Sequence, residues 1–370
     1  MDEQEVSYLV ALGQVNGLHQ NLLTLLMDYF GDAERAWREY RRWHKALPLT
    51  ADKCDDIVGN RKEVEPETFS RYREKLGVKV VTVKDKDFPA GLRTVEDPPY
   101  YLFYYGSLPD PDRLAIAVVG SRKCSDYGKA ATHKVVTDLV QKAGVAIISG
   151  MAEGIDAAAH KAVLQANGYT AAVLGNGIDV IYPSFHGKLY RALKEKGAVI
   201  SEFPLGCGSY PQNFPQRNRL ISGLSSGVFV TEARIKSGAY HTVKHGLEQG
   251  KEIYALPHSI FSGGGYLPHY LIETGQAKFA ACAEDILEDF IDVGLVERMQ
   301  REEKQKDSCL AASQGEREAL AALEKGGRSF DELLKSAPLT ASELSSFLTR
   351  LEIEGAVYET PEKKYILKNN

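Results

Sequence analysis

A chain of 370 residues, 44% hydrophobic and 26% charged, has room for two or three domains with real cores. Its 45 Lys and Arg against 50 Asp and Glu give a net charge of −5, which excludes a globally basic nucleic-acid binder and makes any anion site local. Five scattered cysteines without a CxxC pair argue against a disulfide framework or zinc cluster, MDEQEVSY against a signal peptide, and the lack of a long apolar run against a transmembrane helix; the expectation is a soluble, cytoplasmic protein.

Residues 4–45 read as helical, because Leu9, Leu12, Leu22, Leu23, Leu25, Leu26 and Phe30 recur at helical spacing and Gly17 and Gly31 punctuate them. A second helical stretch over 50–76 ends at Gly77, and VKVVTV (78–83) predicts a strand. The Pro-rich, aromatic DFPAGLRTVEDPPYYLFYYGSL reads as a connector. From Leu114 short apolar runs alternate with helical segments: LAIAVV (114–119), a helix over 126–143, VAIIS (145–149), a helix over 155–167, then YTAAVL, AVISE, GVFVTEA and EIYALP. Continuous β-branched runs alternating with helices predict a parallel, doubly wound α/β sheet, with ligands outside the carboxyl ends of its strands. Residues 297–315 are charged and aperiodic, a linker or a solvated helix extension; residues 316–368 carry three helical segments and a two-stranded ribbon, the pattern of a winged helix.

The strand ends carry the polar residues: Gly120-Ser121-Arg122, Ser149-Gly150 with Glu153, Gly154 and Asp156, Gly175-Asn176-Gly177, Glu202, and Thr231-Glu232 followed by Lys236-Ser237-Gly238. One such turn is ordinary strand-to-helix geometry; several on one sheet edge predict an anion site built from backbone N–H groups and the charges of Arg122 and Lys236. Neither GxGxxG after the first strand nor GxxxxGK[ST] is present, which removes a nucleotide-driven motor. GLSSG (223–227) matches G-x-S-x-G, but a helix leads in and a strand leads out, so Ser225 is rejected as a nucleophile. His241 and His245 have i,i+4 spacing without the glutamate of HExxH, and no metal site is assigned. Glu202 and Glu232 are either an acid/base pair or the partners of nearby arginines; the second reading is preferred.

NFPQRNRLISGLS (213–225) places Arg217 and Arg219 near a helix start, with Asn213 as the expected N-cap and Pro215 in the first turn. A cation there opposes the helix dipole by a few tenths to about 1 kcal/mol. Two positions apart, the arginines point to opposite sides: one is expected to reach an anionic ligand and the other a carboxylate, with Arg217 favoured for the ligand.

AVVGSRKCSDYG, SGMAEGIDAAAHKAVL, AAVLGNGIDVIYP, NFPQRNRLISGLS and TEARIKSGAYHT, in this order, resemble the DNA-processing protein A family (DprA, also called Smf). The resemblance implies an N-terminal helical domain of sterile-alpha-motif or helix-hairpin-helix type (1–76), an extended Rossmann-like domain (77–296), a linker (297–315) and a winged helix (316–370). It also implies single-stranded DNA binding, protection of that DNA, and loading of RecA recombinase during natural transformation. Gly120, Ser121 and Arg122 match the family's GSR motif; Ser149, Gly150, Gly154 and Asp156 its SGxAxGID motif; Phe214, Pro215, Arg217, Asn218 and Arg219 its FPxRNR motif; and Lys236, Ser237 and Gly238 its KSG motif. PHYLIETG (268–275) matches the dimerisation and RecA-contact region, represented by Leu271 and Ile272. Partners so implied are single-stranded DNA, RecA, a second copy of the chain and single-strand DNA-binding protein, without a membrane; no cofactor, metal or catalytic residue is implied. The chain departs from the family at SGAYHT, where Tyr240 and His241 replace apolar residues, and at PHSI, and VNGLHQ lacks the GIG of a DNA-binding hairpin. Two other readings stand beside this one: a nucleotide phosphoribohydrolase, whose PGGxGTxxE motif is missing, and a duplex reader using the winged helix, whose SELSSFLTRL offers one arginine.

Overall fold

A computed structural model describes residues 3–235, 237–293, 314–324, 326–353, 357–360 and 363–367, in two compact units, residues 1–297 and 298–370. The first unit begins with helices α1 (Glu3–Gln14), α2 (Gln20–Phe30), α3 (Ala33–Arg38), α4 (Trp43–Ala46), α5 (Ala51–Asn60) and α6 (Pro66–Leu76). Their ends follow local chemistry. Gly31 and Gly77 take positive φ at helix C-termini, Asp32 accepts the Arg35 N–H at 2.7 Å as the N-cap of α3, and Pro66 opens α6.

The sheet comprises β1 (Lys79–Thr82), β2 (Tyr101–Gly106), β3 (Ala115–Val119), β4 (Ala146–Ser149), β5 (Thr170–Val173), β6 (Ala198–Ser201), β7 (Gly227–Val230), β8 (Glu252–Ala255) and β9 (Lys278–Phe279), in the order β1-β2-β6-β5-β4-β3-β7-β8-β9. From β6 to β9 every pairing is parallel; β1 and β2 add an antiparallel edge, with Phe103 opposite Ser201. The aromatic connector therefore contains a strand that the sequence reading missed. The Asp97-Pro98-Pro99 punctuation drew attention away from YYLFYYG, whose alternate residues face opposite sides. Tyr101, Phe103 and Tyr105 join the core under the N-terminal helices, and Leu102 joins the other.

Both faces are covered. Helices α7 (Asp126–Ala143), α8 (Ile155–Gln165), α9 (Gly187–Lys196), α10 (Asn213–Gly223), α11 (Gly238–Glu248), α12 (Tyr266–Glu273) and α13 (Ala283–Leu287) complete the layers. On one face Leu9, Leu12, Leu23 and Leu26 pack with Tyr101, Phe103, Ala172 and Val199. On the other, Leu220, Ile221 and Val243 pack with Val119, Ile148, Val173 and Val230. Helix α1 comes close to β2 through Gly13, where a Cβ would lie 2.2 Å from the Tyr101 hydroxyl.

The second unit contains α14 (Gln314–Glu324), β10 (Arg328–Ser329), α15 (Phe330–Ser336), α16 (Ala341–Ile353), β11 (Val357–Glu359) and β12 (Lys364–Leu367) around Leu333, Leu344, Phe347, Leu348 and Val357. Its sheet has three strands rather than the expected two, because Arg328 and Ser329 pair with Tyr365 and Lys364 ahead of the Ser329/Glu332 capping box. The expected linker lies outside the described residues except for Gln314 and Gly315, which begin α14. No helix among the described residues is long and apolar enough to cross a membrane.

Candidate functional site

Strand β3 lies between β4 and β7, so the chain leaves it to one side of the sheet and returns on the other; the crevice beyond its carboxyl end is the topological switch point. The GSR turn occupies that crevice and is fastened from both sides. Ser121 N donates to Glu232 O at 2.5 Å, and Ser121 O accepts the Ile155 N–H at 3.2 Å. Glu232 Oε2 accepts the Ser125 hydroxyl at 2.7 Å and its N–H at 3.0 Å, and Ser125 in turn caps α7 through Gly128 N. Glu232 thus holds the start of α7 rather than pairing with an arginine, a correction to the sequence reading.

The second turn is packed into the first. Gly154 has φ +85°, and a Cβ on it would lie 2.2 Å from Ser121 O and 2.5 Å from Arg122 O. Asp156, buried at the start of α8, accepts the N–H groups of Gly150 at 3.1 Å and Ala152 at 3.4 Å, while Ser149 Oγ donates to Val118 O at 2.7 Å. At Gly150 a Cβ would meet Arg217 Nη2 at 2.6 Å and Asp156 Oδ2 at 2.8 Å, so only glycine admits both charges to the turn.

The two arginines of α10 have different tasks, and both are buried. Arg219 makes a forked pair with Glu202, both contacts at 2.7 Å, and donates to Glu96 O, Asp97 O and Gln216 O. This is the carboxylate partner expected for one arginine, and it ties the connector to the sheet edge. Arg217, 3% exposed, donates to Gly150 O at 3.1 Å and to Val173 O, clamping the ends of β4 and β5. Burial lowers its guanidinium to about 10, with Asp156 opposing and Arg122 reinforcing that shift. Burial pushes the Asp156 carboxyl upward, against the attraction of Arg217. Asn213 is not the N-cap: it is the first residue of α10, no side chain caps that end, and its amide faces Cys207 Sγ at 3.7 Å. Asn218 donates to Gly238 O at 3.1 Å, joining α10 to the start of α11.

The outer surface of the crevice carries Arg122, exposed and 5.2 Å from the Phe214 ring centroid, and Phe214 stands 5.5 Å from Tyr182. Lys236 lies outside the described residues; Ser237 and Gly238 stand at the α11 N-terminus, and among the described residues nothing lies within 4 Å of where a Gly238 Cβ would stand. Leu271 is fully buried in the core between α12 and the sheet and presents no surface, a correction to its expected place on a docking face; Ile272 is half-buried. Ser225 Oγ donates to Ile221 O at 2.9 Å, which agrees with its rejection as a nucleophile. His245 meets Glu96 and Glu248, ligand atoms within 4.8 Å of one another, a grouping that i,i+4 spacing could not reveal because Glu96 comes from the connector.

Beneath the site, His160 is buried with Nδ1 2.7 Å from Thr170 Oγ1, and burial, with His186 and Arg217 adding repulsion, lowers its imidazole to about 3. A lowered folded-state pKa means protons bind on unfolding, so this contribution to stability is complete above the unfolded value near 6.5 and is lost as pH falls toward the folded value. Urea unfolding between about pH 6.5 and about pH 4.5 is expected to show a slope of up to about 1.4 kcal/mol per pH unit from this group, absent in His160→Leu.

A family profile described as DNA recombination-mediator protein A matches residues 79–291, from β1 past α13, and so covers every strand-end turn just described. The chain belongs to the DNA recombination-mediator protein A family. A second family profile, the DprA winged helix domain, matches residues 303–363. Protein Smf of Synechocystis sp. is 36% identical over 271 residues, which are 70% of this chain and 66% of that protein. The X-ray structure of DNA processing protein A from Streptococcus pneumoniae matches with TM-score 0.66 and 30% identity over 78% of this chain and 98% of that one. DNA processing protein A from Helicobacter pylori, solved for its single-stranded DNA binding mode, matches with TM-score 0.51 and 25% identity over 58% of this chain and 96% of that one.

Proposed function

We propose that the chain binds single-stranded DNA across the carboxyl edge of its sheet, protects incoming strands and helps load RecA on them during natural transformation. The observation that carries this reading is the exposed Arg122, set on a turn held by Glu232 and Gly154 at the carboxyl end of β3, the neighbour of the β7 strand that leads to α11. Backbone N–H groups and Arg122 would receive phosphates without reading bases, and the resemblance adds Lys236 as a second cation. Arg217, first choice from the sequence, serves better as the clamp that positions the turns, since its Nη1 donates to Gly150 O and Val173 O and its Nε to Asn218 Oδ1. The H. pylori relative's single-stranded DNA binding supports the same assignment. A second copy of the chain, RecA and single-strand DNA-binding protein are proposed partners, with Ile272 on the α12 surface. Hydrolysis is disfavoured as the alternative: both Glu202 oxygens accept from Arg219 and both Glu232 oxygens accept from Ser125, which leaves neither placed as a general base.

Titration of labelled oligo-dT at two salt concentrations tests the assignment. Arg122→Ala is expected to weaken binding and make the log K against log salt slope shallower by about 0.7, the loss of one phosphate contact on a single strand. Equal affinity and slope for both proteins would remove Arg122 from the site. Strand exchange by RecA with single-strand DNA-binding protein present, with and without this chain, tests the mediator role.

A further inference from the structure

Aromatic residues gather on the β5–β6 side of the crevice, where the fold does not need them. Phe185 is 67% exposed, Tyr210 54% and Tyr182 39%. Single exposed apolar side chains are ordinary; here two lie on the turn after β5 and one just before α10, and one of them, Tyr182, meets the ring that also holds the Arg122 cation. Tyr182 meets Phe214 at 5.5 Å with a 43° tilt, and Arg122 lies 5.2 Å from the other partner of that pair, Phe214. Phe185 is fixed by its neighbour: His186 is buried, its Nδ1 faces Met151 O at 3.0 Å, and its ring meets Phe185 edge-on at 4.7 Å. The turn carrying Phe185 is therefore anchored to the same Gly150–Gly154 segment that supports the GSR turn. Tyr210 precedes α10, where its carbonyl accepts the Asn213 N–H at 3.0 Å.

We propose that Tyr182 and Phe185 form a stacking shelf for nucleobases, continuous with Phe214, so that a strand whose phosphates meet Arg122 lays its bases across the β5–β6 end of the sheet. The proposal rests on the single-stranded DNA reading above and adds the direction of the strand and a requirement for bases. The occupant follows from the juxtaposition of ring faces with a phosphate-binding cation. Every base has a π-face, so such a shelf is tolerant of sequence, and its contribution is independent of salt. Rings already packed against a neighbour, Phe185 against the buried His186 and Tyr182 against Phe214, lose less side-chain entropy on stacking than rings on a free loop.

The full chain is titrated with oligo-dT and with an abasic phosphodiester of the same length, using wild type, Tyr182→Ala, Phe185→Ala and Arg122→Ala. Wild type is expected to bind oligo-dT about fivefold or more tighter than the abasic strand, the range for one stacked base. Tyr182→Ala and Phe185→Ala should each lose that margin on oligo-dT and keep the wild-type abasic affinity and salt slope; Arg122→Ala should lower both affinities and the slope. Wild-type affinity for oligo-dT in both aromatic variants overturns the shelf, as does equal wild-type binding of abasic and base-bearing strands; either result leaves the phosphate site standing. A change of oligomeric state in the aromatic variants, with oligo-dT affinity unaltered, also overturns it and makes the patch a contact between copies. Failure of wild type to bind either strand at low salt sinks the single-stranded DNA reading itself.

Discussion

Arg219→Ala is expected to lower the free energy of unfolding by about 3–5 kcal/mol, the cost of leaving a buried carboxylate without its partner. The Glu202 side chain is 0% exposed and both of its oxygens receive Arg219 at 2.7 Å, so its charge has no route to water. Arg219 also donates to the carbonyls of Glu96 and Asp97, and its removal frees the connector from the sheet edge. The Glu202 carbonyl receives Gln20 Nε2 at 2.8 Å, and Gln20 Oε1 receives Tyr100 N at 3.0 Å, so the network joins α2, β2 and the end of β6. Urea unfolding at neutral pH measures the loss. The double variant Arg219→Met, Glu202→Leu is expected to recover part of it, since apolar replacement of both partners removes the buried charge altogether. A loss below about 1 kcal/mol in the single variant would class the pair with exposed ion pairs and refute a structural role for the Arg219–Glu202 pair.

The alternation of apolar runs and helices made the parallel sheet legible, because strands buried on both faces must be continuously apolar whatever their tertiary neighbours. The turns at its carboxyl edge were legible for a related reason: Gly150 and Gly154 stand where a Cβ would collide with charged groups or backbone, so their residue types report packing directly. What pattern could not convey was which partner each charge takes. Arg217 and Arg219 differ by two positions and look equivalent in the sequence, yet one meets the carbonyls that end β4 and β5 and the other a carboxylate after β6. Glu202 and Glu232 likewise follow equivalent strand ends, and only the order of strands places Glu232 beside Ser125 of α7. Strand β2 was hidden because its prolines lie just outside it, and Leu271 was taken for surface because an apolar residue on a short helix gives no sign of which face is covered.

Two glycines of the edge separate the demands of the fold from those of a ligand. Gly154→Ala is expected to cost about 1–3 kcal/mol of stability, since φ +85° with ψ −124° is strained for a residue with a Cβ. The added carbon also collides with the carbonyls of Ser121 and Arg122, backbone atoms that move only if the GSR turn moves. Binding of oligo-dT should fall with it, because the displaced turn carries Arg122. Gly238 is the opposite case: among the described residues nothing lies within 4 Å of its notional Cβ, it has no positive φ, and it is the first residue of α11. For the fold alone Gly238→Ala is expected to be neutral or to stabilise by about 0.4–1 kcal/mol through the unfolded state. Glycine there is informative if a phosphate approaches the α11 N-terminus closely, next to a Ser237 hydroxyl that is buried without a partner among the described residues. Gly238→Ala should then keep or raise the melting temperature while weakening oligo-dT binding, a combination that no folding defect produces. Unchanged binding in Gly238→Ala alongside impaired binding in Gly154→Ala would confine the phosphate site to the turns after β3 and β4 and exclude the start of α11.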